Sequence, residues 1–379
     1  MLEKLTKYRR DLHQIPELGF DLEKTYAYVK KHLESFGYQP KTYAKTGLVA
    51  VKSGKVKSSV AFRADMDALP VKEMLDIPFK SKHEGLMHAC GHDGHTAMLL
   101  AFAEYVSKLD TPNQSIVFIF QPAEEGPGGA KVMIEEGVLK DHHVQSIFGL
   151  HVFPGLDEGQ IGIIKGPMLA RNAEFDFYIE GQSGHGAQPH QGIDAVLASS
   201  SFVVGLNQIV SRYIDPLEPA VITTGMIQGG EARNIIAKDV KVSGTMRAFD
   251  DNTFEIMKQK MIDTAKAIEL QYGVKIIDQI VDYYPAVYND HHLFDLVDQT
   301  LNDAEKVYIK PYTFSEDFAF YQKEVPGMFT FIGSRNASKD YIYPLHNNKF
   351  NFDEKILLNG FEFYKRISKA LKLFNDETI

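Results

Sequence analysis

One cysteine, Cys90, is the whole thiol content of 379 residues. A lone cysteine excludes an intrachain disulfide framework and fits a reducing compartment, so a cytoplasmic protein is expected. Long apolar runs are missing too: none reaches the ~20 residues of a membrane span. The first residues, M-L-E-K-L-T-K-Y-R-R-D-L, read as a charged amphipathic helix and lack the apolar centre of a signal peptide. Positive charge is the minority sign, with 41 Lys and Arg against 50 Asp and Glu. A formal net charge of −9 without any basic stripe argues against nucleic acid or an anionic membrane as a partner. Low-complexity tracts and fixed-period repeats are absent as well. What is present is a globular composition, 44% hydrophobic and 24% charged, on a chain long enough for two cores.

The one cysteine lies in H-E-G-L-M-H-A-C-G-H-D-G-H, residues 83–95. This stretch gathers His83, His88, His92 and His95 from a total of 14 histidines. A soft thiolate beside imidazoles and carboxylates is a donor set for a borderline divalent ion such as zinc, manganese or cobalt. Any one of these residues alone reads as a solvated loop histidine or a buried structural thiol. Their clustering in a cysteine-poor chain is what points to metal. The segment cannot close a catalytic site by itself, so further ligands must come from elsewhere.

Taken in order, helical spacing marks residues 2–14 and 21–36, and Gly47–Val51 and Ser59–Ala64 read as short strands. The second strand runs into R-A-D-M-D-A-L-P, residues 63–70, which places Asp65 and Asp67 at a strand end, where an open α/β sheet keeps its site. Thr96–Leu109 is an apolar helix with His92–His95 at its first turn. Ser115–Phe120, S-I-V-F-I-F, has the continuous apolar texture of a parallel strand buried on both faces. It stops at Q-P-A-E-E-G, before helix Gly129–Glu136 and strand Ser146–Val152. This alternation predicts a doubly wound mixed sheet. From about Ala173 the pattern becomes β-α-β-β-α-β, an inserted ferredoxin-like α+β unit. The expected division is therefore 1–171, an insert at 172–284, and a return to the first domain at 285–379.

Glu124 and Glu125 form a second constellation. Neighbours on a regular strand point to opposite faces, but Pro122 breaks the ladder just before them and lets both carboxylates turn to one side. One then ligates metal while the other takes a proton from water, since a base needs a free lone pair. A solvated acidic loop is the alternative. His151 in I-F-G-L-H-V and His346 in Y-P-L-H-N each read singly as hydrogen-bonded structural histidines. With Cys90, His92 and Glu125 they would supply five donors, about the number two ions sharing a bridging ligand require. A thiolate can bridge, because metal binding removes its proton.

Together R-A-D-M-D-A-L-P, H-A-C-G-H-D-G-H-T-A-M, Q-P-A-E-E-G, L-H-V, S-G-H-G-A-Q-P-H, G-T-M-R and P-L-H-N follow the order found in amidohydrolase-type metallopeptidases. The chain resembles the aminoacylase, hippurate hydrolase and auxin-conjugate hydrolase group over nearly its whole length. The resemblance implies a zinc-peptidase-like catalytic domain with an inserted lid and two divalent ions, zinc, manganese, cobalt or nickel. It places the ligands on Cys90, His92, Glu125, His151 and His346 and the general base on Glu124, with Asp67 counted in the catalytic group. It puts a lid histidine that polarises the scissile carbonyl, often across a dimer, on His185, and substrate-carboxylate contacts on Asn234 and Arg247. The implied partner is a small acylated amino acid, and a homodimer through the lid is expected. Within the group, the residues around Cys90 and Glu124 look most like those of deacetylases serving lysine and cell-wall precursor synthesis. Pro127 departs from the glycine many relatives carry and is expected to stiffen the loop. Two further readings stay open: a metal-binding scaffold that lost its chemistry, and a cysteine hydrolase using Cys90 with a histidine.

Overall fold

S-I-V-F-I-F folds as the core of strand Gln114–Gln121, whose residues from Ile116 onward are buried. The computed structural model describes residues 1–375. This strand lies third in an eight-stranded sheet, ordered 41–43, 47–52, 114–121, 56–65, 144–157, 327–335, 161–163 and 306–308. It runs parallel to Val56–Asp65 but antiparallel to Gly47–Lys52, so the fully parallel surroundings expected for it hold on one side only. Val56–Asp65, Val144–Asp157 and Gly327–Arg335 continue the parallel part. Their carboxyl ends face one way, and a site formed there draws on several strands at once.

The helices cover this sheet for reasons visible in their spacing. Leu5, Tyr8 and Leu12 form the buried stripe of Leu2–His13, and Val29 and Leu33 that of Glu23–Ser35. Helix His92–Ser107 is different, because it is apolar around nearly its whole circumference and almost completely buried. A helix of that kind belongs in the interior. It packs against Leu2–His13 and Ile356–Ala370 as well as the sheet. Phe62, Phe102 and Tyr364 meet edge-on or tilted, with centroids 5.0–5.3 Å apart.

The chain divides into two compact units. The first comprises Met1–Gly166, Tyr288–Lys310 and Asp317 onward; the second comprises Pro167–Val287 and Pro311–Glu316. The expected insert at 172–284 falls inside the second unit. The return of 311–316 to it was not legible in the pattern. It is made by backbone: Ala170 N–H donates to the Tyr312 and Phe314 carbonyls, and Tyr312 N–H to Met168.

Within the second unit, the strands order as 220–229, 239–248, 171–180 and 275–282, all antiparallel, with two helices on one face. This is the ferredoxin-like arrangement that β-α-β-β-α-β implies. Asp194 and Asp250 cap the two helices through their side chains, and Gly273 ends the second in the left-handed conformation. Alternating burial along Arg171–Glu180 turns Ala173, Phe175, Phe177 and Ile179 onto the helices. Phe177 packs on Phe202 with centroids 4.7 Å apart. Truncating it, Phe177→Ala, is expected to cost about 3–5 kcal/mol, as large-to-small core changes do. Chemical denaturation followed by a probe in this unit measures the loss.

Candidate metal centre

Three segments far apart in sequence are tied together before any ligand is considered. Leu69 and Met87 exchange backbone hydrogen bonds of 3.0 and 3.1 Å, and Thr96 Oγ1 donates to the Asp65 carbonyl. The P-L-H-N turn joins them through His346 N–H, which donates to the Ala89 carbonyl at 2.8 Å. Cys90 is thereby set beside a histidine 256 positions away in the chain. His346 adopts φ +65°, an uncommon conformation for a residue with a Cβ and one often retained at functional sites. Gly91 has φ +90°, and a Cβ there would lie 2.3 Å from Val152 Cγ2. Only glycine lets Cys90 precede the His92 helix so closely.

The donors fall into overlapping groups within ligating distance of one another. Cys90, His92 and His151 form one, Cys90, Glu125 and His346 a second, and His92, Glu124 and Glu125 a third. Cys90 links the first group to the second, His92 the first to the third and Glu125 the second to the third, so the three make one connected donor set. His151 Nδ1 donates to the Val152 carbonyl at 2.7 Å, which fixes the tautomer and leaves Nε2 facing Cys90 Sγ at 3.3 Å. His346 Nε2 lies 3.1 Å from Glu125 Oε1. His92 Nδ1 stands 3.3 Å from Asp67 Oδ1, and its Nε2 lies 3.9 Å from Glu124 Oε2. Both His92 ring nitrogens and Glu125 Oε1 are buried without an aligned hydrogen bond inside the protein. Buried polar atoms seldom go unsatisfied, and here they converge on one region.

Charge tells the same story. Burial alone would lower the His92 pKa, but Asp65, Asp67 and Glu125 carry it up to about 10. Burial raises the Cys90 thiol well above its usual value, and Glu125, Glu124 and Asp65 add to the effect. Burial also drives His151 well below the ordinary imidazole value. A neutral imidazole, a thiol kept protonated by burial and then by the surrounding carboxylates, and an excess of buried negative charge suit a cation, which takes the neutral imidazole as a ligand, displaces the thiol proton and offsets the charge. Two divalent ions fit this donor set.

Not every histidine of the cluster takes part. His95 Nδ1 donates to Asp65 Oδ1 at 2.6 Å and its Nε2 accepts from Val152 N–H at 2.9 Å. Both ring nitrogens are used, so His95 braces Asp65 although it lies within ligating distance of His92. His83 Nδ1 donates to the Pro16 carbonyl. His88 is buried near His13, and burial takes its pKa to about 3. Asp67 accepts the backbone N–H groups of Glu124 and Glu125, each at 3.0 Å, and so aims the loop that carries both. In the second unit, His185 pairs with Ile235 across a short ladder, and Gly186 N–H donates to the Asn234 carbonyl. Arg247 sits on strand Asp239–Ala248 opposite Val221 and Asn172, and burial lowers its pKa.

Sequence reasoning passed over Arg63, Gln121 and Asp317. Arg63 donates to Gln121 Oε1, Asp65 Oδ2 and Asp317 Oδ1 at 2.7–2.8 Å, all inside the protein. The signal was a charged residue in an otherwise apolar strand, A-F-R-A-D, which needs a buried counter-charge.

A mixed-sheet α/β unit with a dinuclear donor set at the ends of its parallel strands is the architecture of a metal-dependent hydrolase. The chain belongs to peptidase family M20/M25/M40, whose pattern it matches over residues 61–370. It is 36% identical to an uncharacterized hydrolase of Staphylococcus aureus (strain USA300), over 98% of this chain and 99% of that protein. An uncharacterized hydrolase of Staphylococcus haemolyticus is 35% identical, over 97% of each. Among solved structures, the Bacillus subtilis YXEP protein, a dinuclear metal binding peptidase from the M20 family, is 31% identical with a TM-score of 0.84, covering 100% of this chain and 99% of that one. The chain is accordingly a hydrolase of amide bonds that uses two divalent ions.

A Cβ on Gly129 would stand 1.8 Å from the Pro122 carbonyl oxygen. Gly129→Ala therefore has to move backbone next to Glu124 and Glu125, and overpacking of this kind costs about 1–3 kcal/mol. The expected outcome is lower thermal stability together with weaker Zn²⁺ retention on dialysis, read by elemental analysis.

Proposed function

We propose that the protein hydrolyses the N-acyl amide of a small acylated amino acid, with N-acetyl-L,L-diaminopimelate as substrate and acetate and L,L-diaminopimelate as products. A broader N-acyl-amino-acid hydrolase, an aminoacylase, hippurate hydrolase or small-peptide hydrolase, is the alternative. The observation that carries the hydrolytic part is Cys90 shared between two ligand groups with Glu124 beside His92. The acetyl-diaminopimelate assignment draws on the resemblance of the stretches around Cys90 and Glu124.

In this reading Cys90, His92, Glu125, His151 and His346 hold the ions. Once bound, the ions polarise the amide carbonyl and lower the pKa of a water. Glu124 accepts the proton of the attacking water and returns it to the leaving amine nitrogen. Its backbone N–H on Asp67 Oδ1 keeps it aimed during the transfer. His185 donates a hydrogen bond to the carbonyl oxygen as charge builds there, a contribution typically worth about 2.7–4 kcal/mol. Arg247 and Asn234 receive the substrate carboxylate. Arg247 suits that task because its guanidinium is half-buried, and a partly desolvated cation pairs strongly with a carboxylate. The Cys90 thiol serves as a ligand and not as a nucleophile, since burial among carboxylates opposes a free thiolate.

The homodimer belongs to the same proposal. Helix Ala195–Tyr213 exposes Val196, Leu197, Val204 and Tyr213, and edge strand Ala220–Gly229 exposes Val221, Met226 and Ile227. Apolar surface next to an unpaired strand edge is what a second copy would cover. Sedimentation giving a monomer at micromolar concentration would remove this part.

Glu124→Gln is expected to keep two ions per chain and lose about 10²–10⁴ in kcat, the usual worth of a general base. Full activity in the variant would end the assignment. Cys90→Ala should lower metal stoichiometry, measured by elemental analysis after dialysis. For the substrate, turnover of acetyl-diaminopimelate is compared with a panel of acetylated α-amino acids and hippurate, with Mn²⁺, Co²⁺ or Zn²⁺ and after chelation. Equal rates across the panel favour the broader hydrolase, and activity that survives exhaustive chelation refutes the metal mechanism.

A further inference from the structure

The acidic loop is closed on itself. It leaves strand Gln114–Gln121 at Pro122 and enters helix Gly129–Glu135 seven residues on. Gly128 and Gly129 N–H both donate to the Ala123 carbonyl, at 3.0 and 2.9 Å. Its two ends are therefore neighbours, and whatever holds them sets where Glu124 and Glu125 stand.

Asp317 touches both ends. It lies at the start of the first unit's last segment and is fully buried. Its Oδ1 accepts from Arg63 Nη2 at 2.7 Å and Gln121 Nε2 at 2.9 Å, while its Oδ2 accepts from Gln121 Nε2 at 2.8 Å and Ala130 N–H at 2.9 Å. Gln121 is the last residue before the loop, and Ala130 N–H is in the first turn after it. Three donors thus occupy the two oxygens, with Gln121 Nε2 shared between them. Asp317 is engaged by the protein through both oxygens, although its carboxylate comes within ligating distance of Glu124. Arg63 carries the restraint onward to Asp65 Oδ2, and Asp65 braces His95.

We infer that Asp317 is a positioning residue for the hydrolytic reaction, clamping the base of the Glu124–Glu125 loop through Gln121 and the Ala130 N–H. This rests on the roles proposed above for those two glutamates. Asp67 holds the crown of the loop and Asp317 its foot, so the carboxylates are fixed by backbone anchors on both sides. Asparagine cannot replace Asp317. Whichever way its amide is turned, an NH₂ group faces either Arg63 Nη2 or the Ala130 N–H, two donors that need an acceptor.

The test compares Asp317→Asn with the parent as Zn²⁺-loaded full chains. A misplacement of about 1 Å at a reacting group costs on the order of 10²-fold, so kcat is expected to fall by about ten- to a hundredfold. KM should stay within about threefold, the pattern of an interaction felt in the transition state. Amide hydrogen exchange, read by mass spectrometry, should accelerate in peptides covering 121–130 and stay unchanged in those covering helix His92–Ser107. Unchanged kcat, or exchange raised evenly across the whole sheet, overturns the inference, because the second pattern is general destabilisation. If Asp317→Asn does not accumulate, Gln121→Met removes the foot contact while leaving the Ala130 bond. Parent-like kcat and loop exchange in that variant also overturn it. A parent that cleaves no acylated amino acid at all counts against the proposed function, and the exchange comparison then decides the clamp alone.

Discussion

Negative charge gathered in a place where water cannot solvate it is the constraint on which the first unit is built. Asp65, Asp67, Glu124 and Asp317 are all buried, and Glu125 is nearly so. Uncompensated, such charges would be prohibitively costly, so each must find cations or oriented donors. Arg63 compensates two of them, and backbone N–H groups of Glu124, Glu125 and Ala130 serve Asp67 and Asp317. What these leave over falls on the side of Cys90, His92, Glu125, His151 and His346. The pull on His92 toward its protonated form, against burial, records that remainder, and two divalent ions would answer it.

The same compensation fixes geometry. A carboxylate that accepts several backbone N–H bonds has little freedom, and neither does the loop that donates them. Gly91 and Gly129 permit the close approaches, at positions where a Cβ would strike Val152 or the Pro122 carbonyl. Helix His92–Ser107 starts between those contacts and is held on all sides by apolar packing. Ligands placed on a buried helix, a central strand and a doubly anchored loop are more precisely set than ligands on free loops. His346 is the exception: it stands on a turn in a left-handed conformation with half its side chain exposed.

The second unit solves a simpler problem. Its sheet needs one covered face, and alternating residues on Arg171–Glu180 and Asp239–Ala248 supply it. Its other surfaces keep apolar residues exposed along one helix and one strand edge, and they carry His185, Asn234 and Arg247. Division of labour follows from composition: buried charge is concentrated in the first unit, while an exposed sheet and a histidine-bearing turn characterise the second.

Periodicity and punctuation determined most of the elements from sequence alone. The apolar run 115–120 and the β-α-β-β-α-β rhythm are local properties, set by side-chain spacing and backbone sterics within a few residues. The metal-binding chemistry was also legible, because thiol, imidazole and carboxylate types crowd into short motifs. The family resemblance singled out His92, His151 and His346, but only tertiary structure supplies the physical reason, since that depends on what each second ring nitrogen meets. His95 and His151 look alike in sequence, yet one spends both nitrogens on Asp65 and Val152 while the other spends one on a carbonyl. It alone brought Asp317 under a loop almost 200 residues earlier, and returned 311–316 to the second unit. Contacts of that range leave no periodic trace, because the partners meet only after the intervening chain has folded.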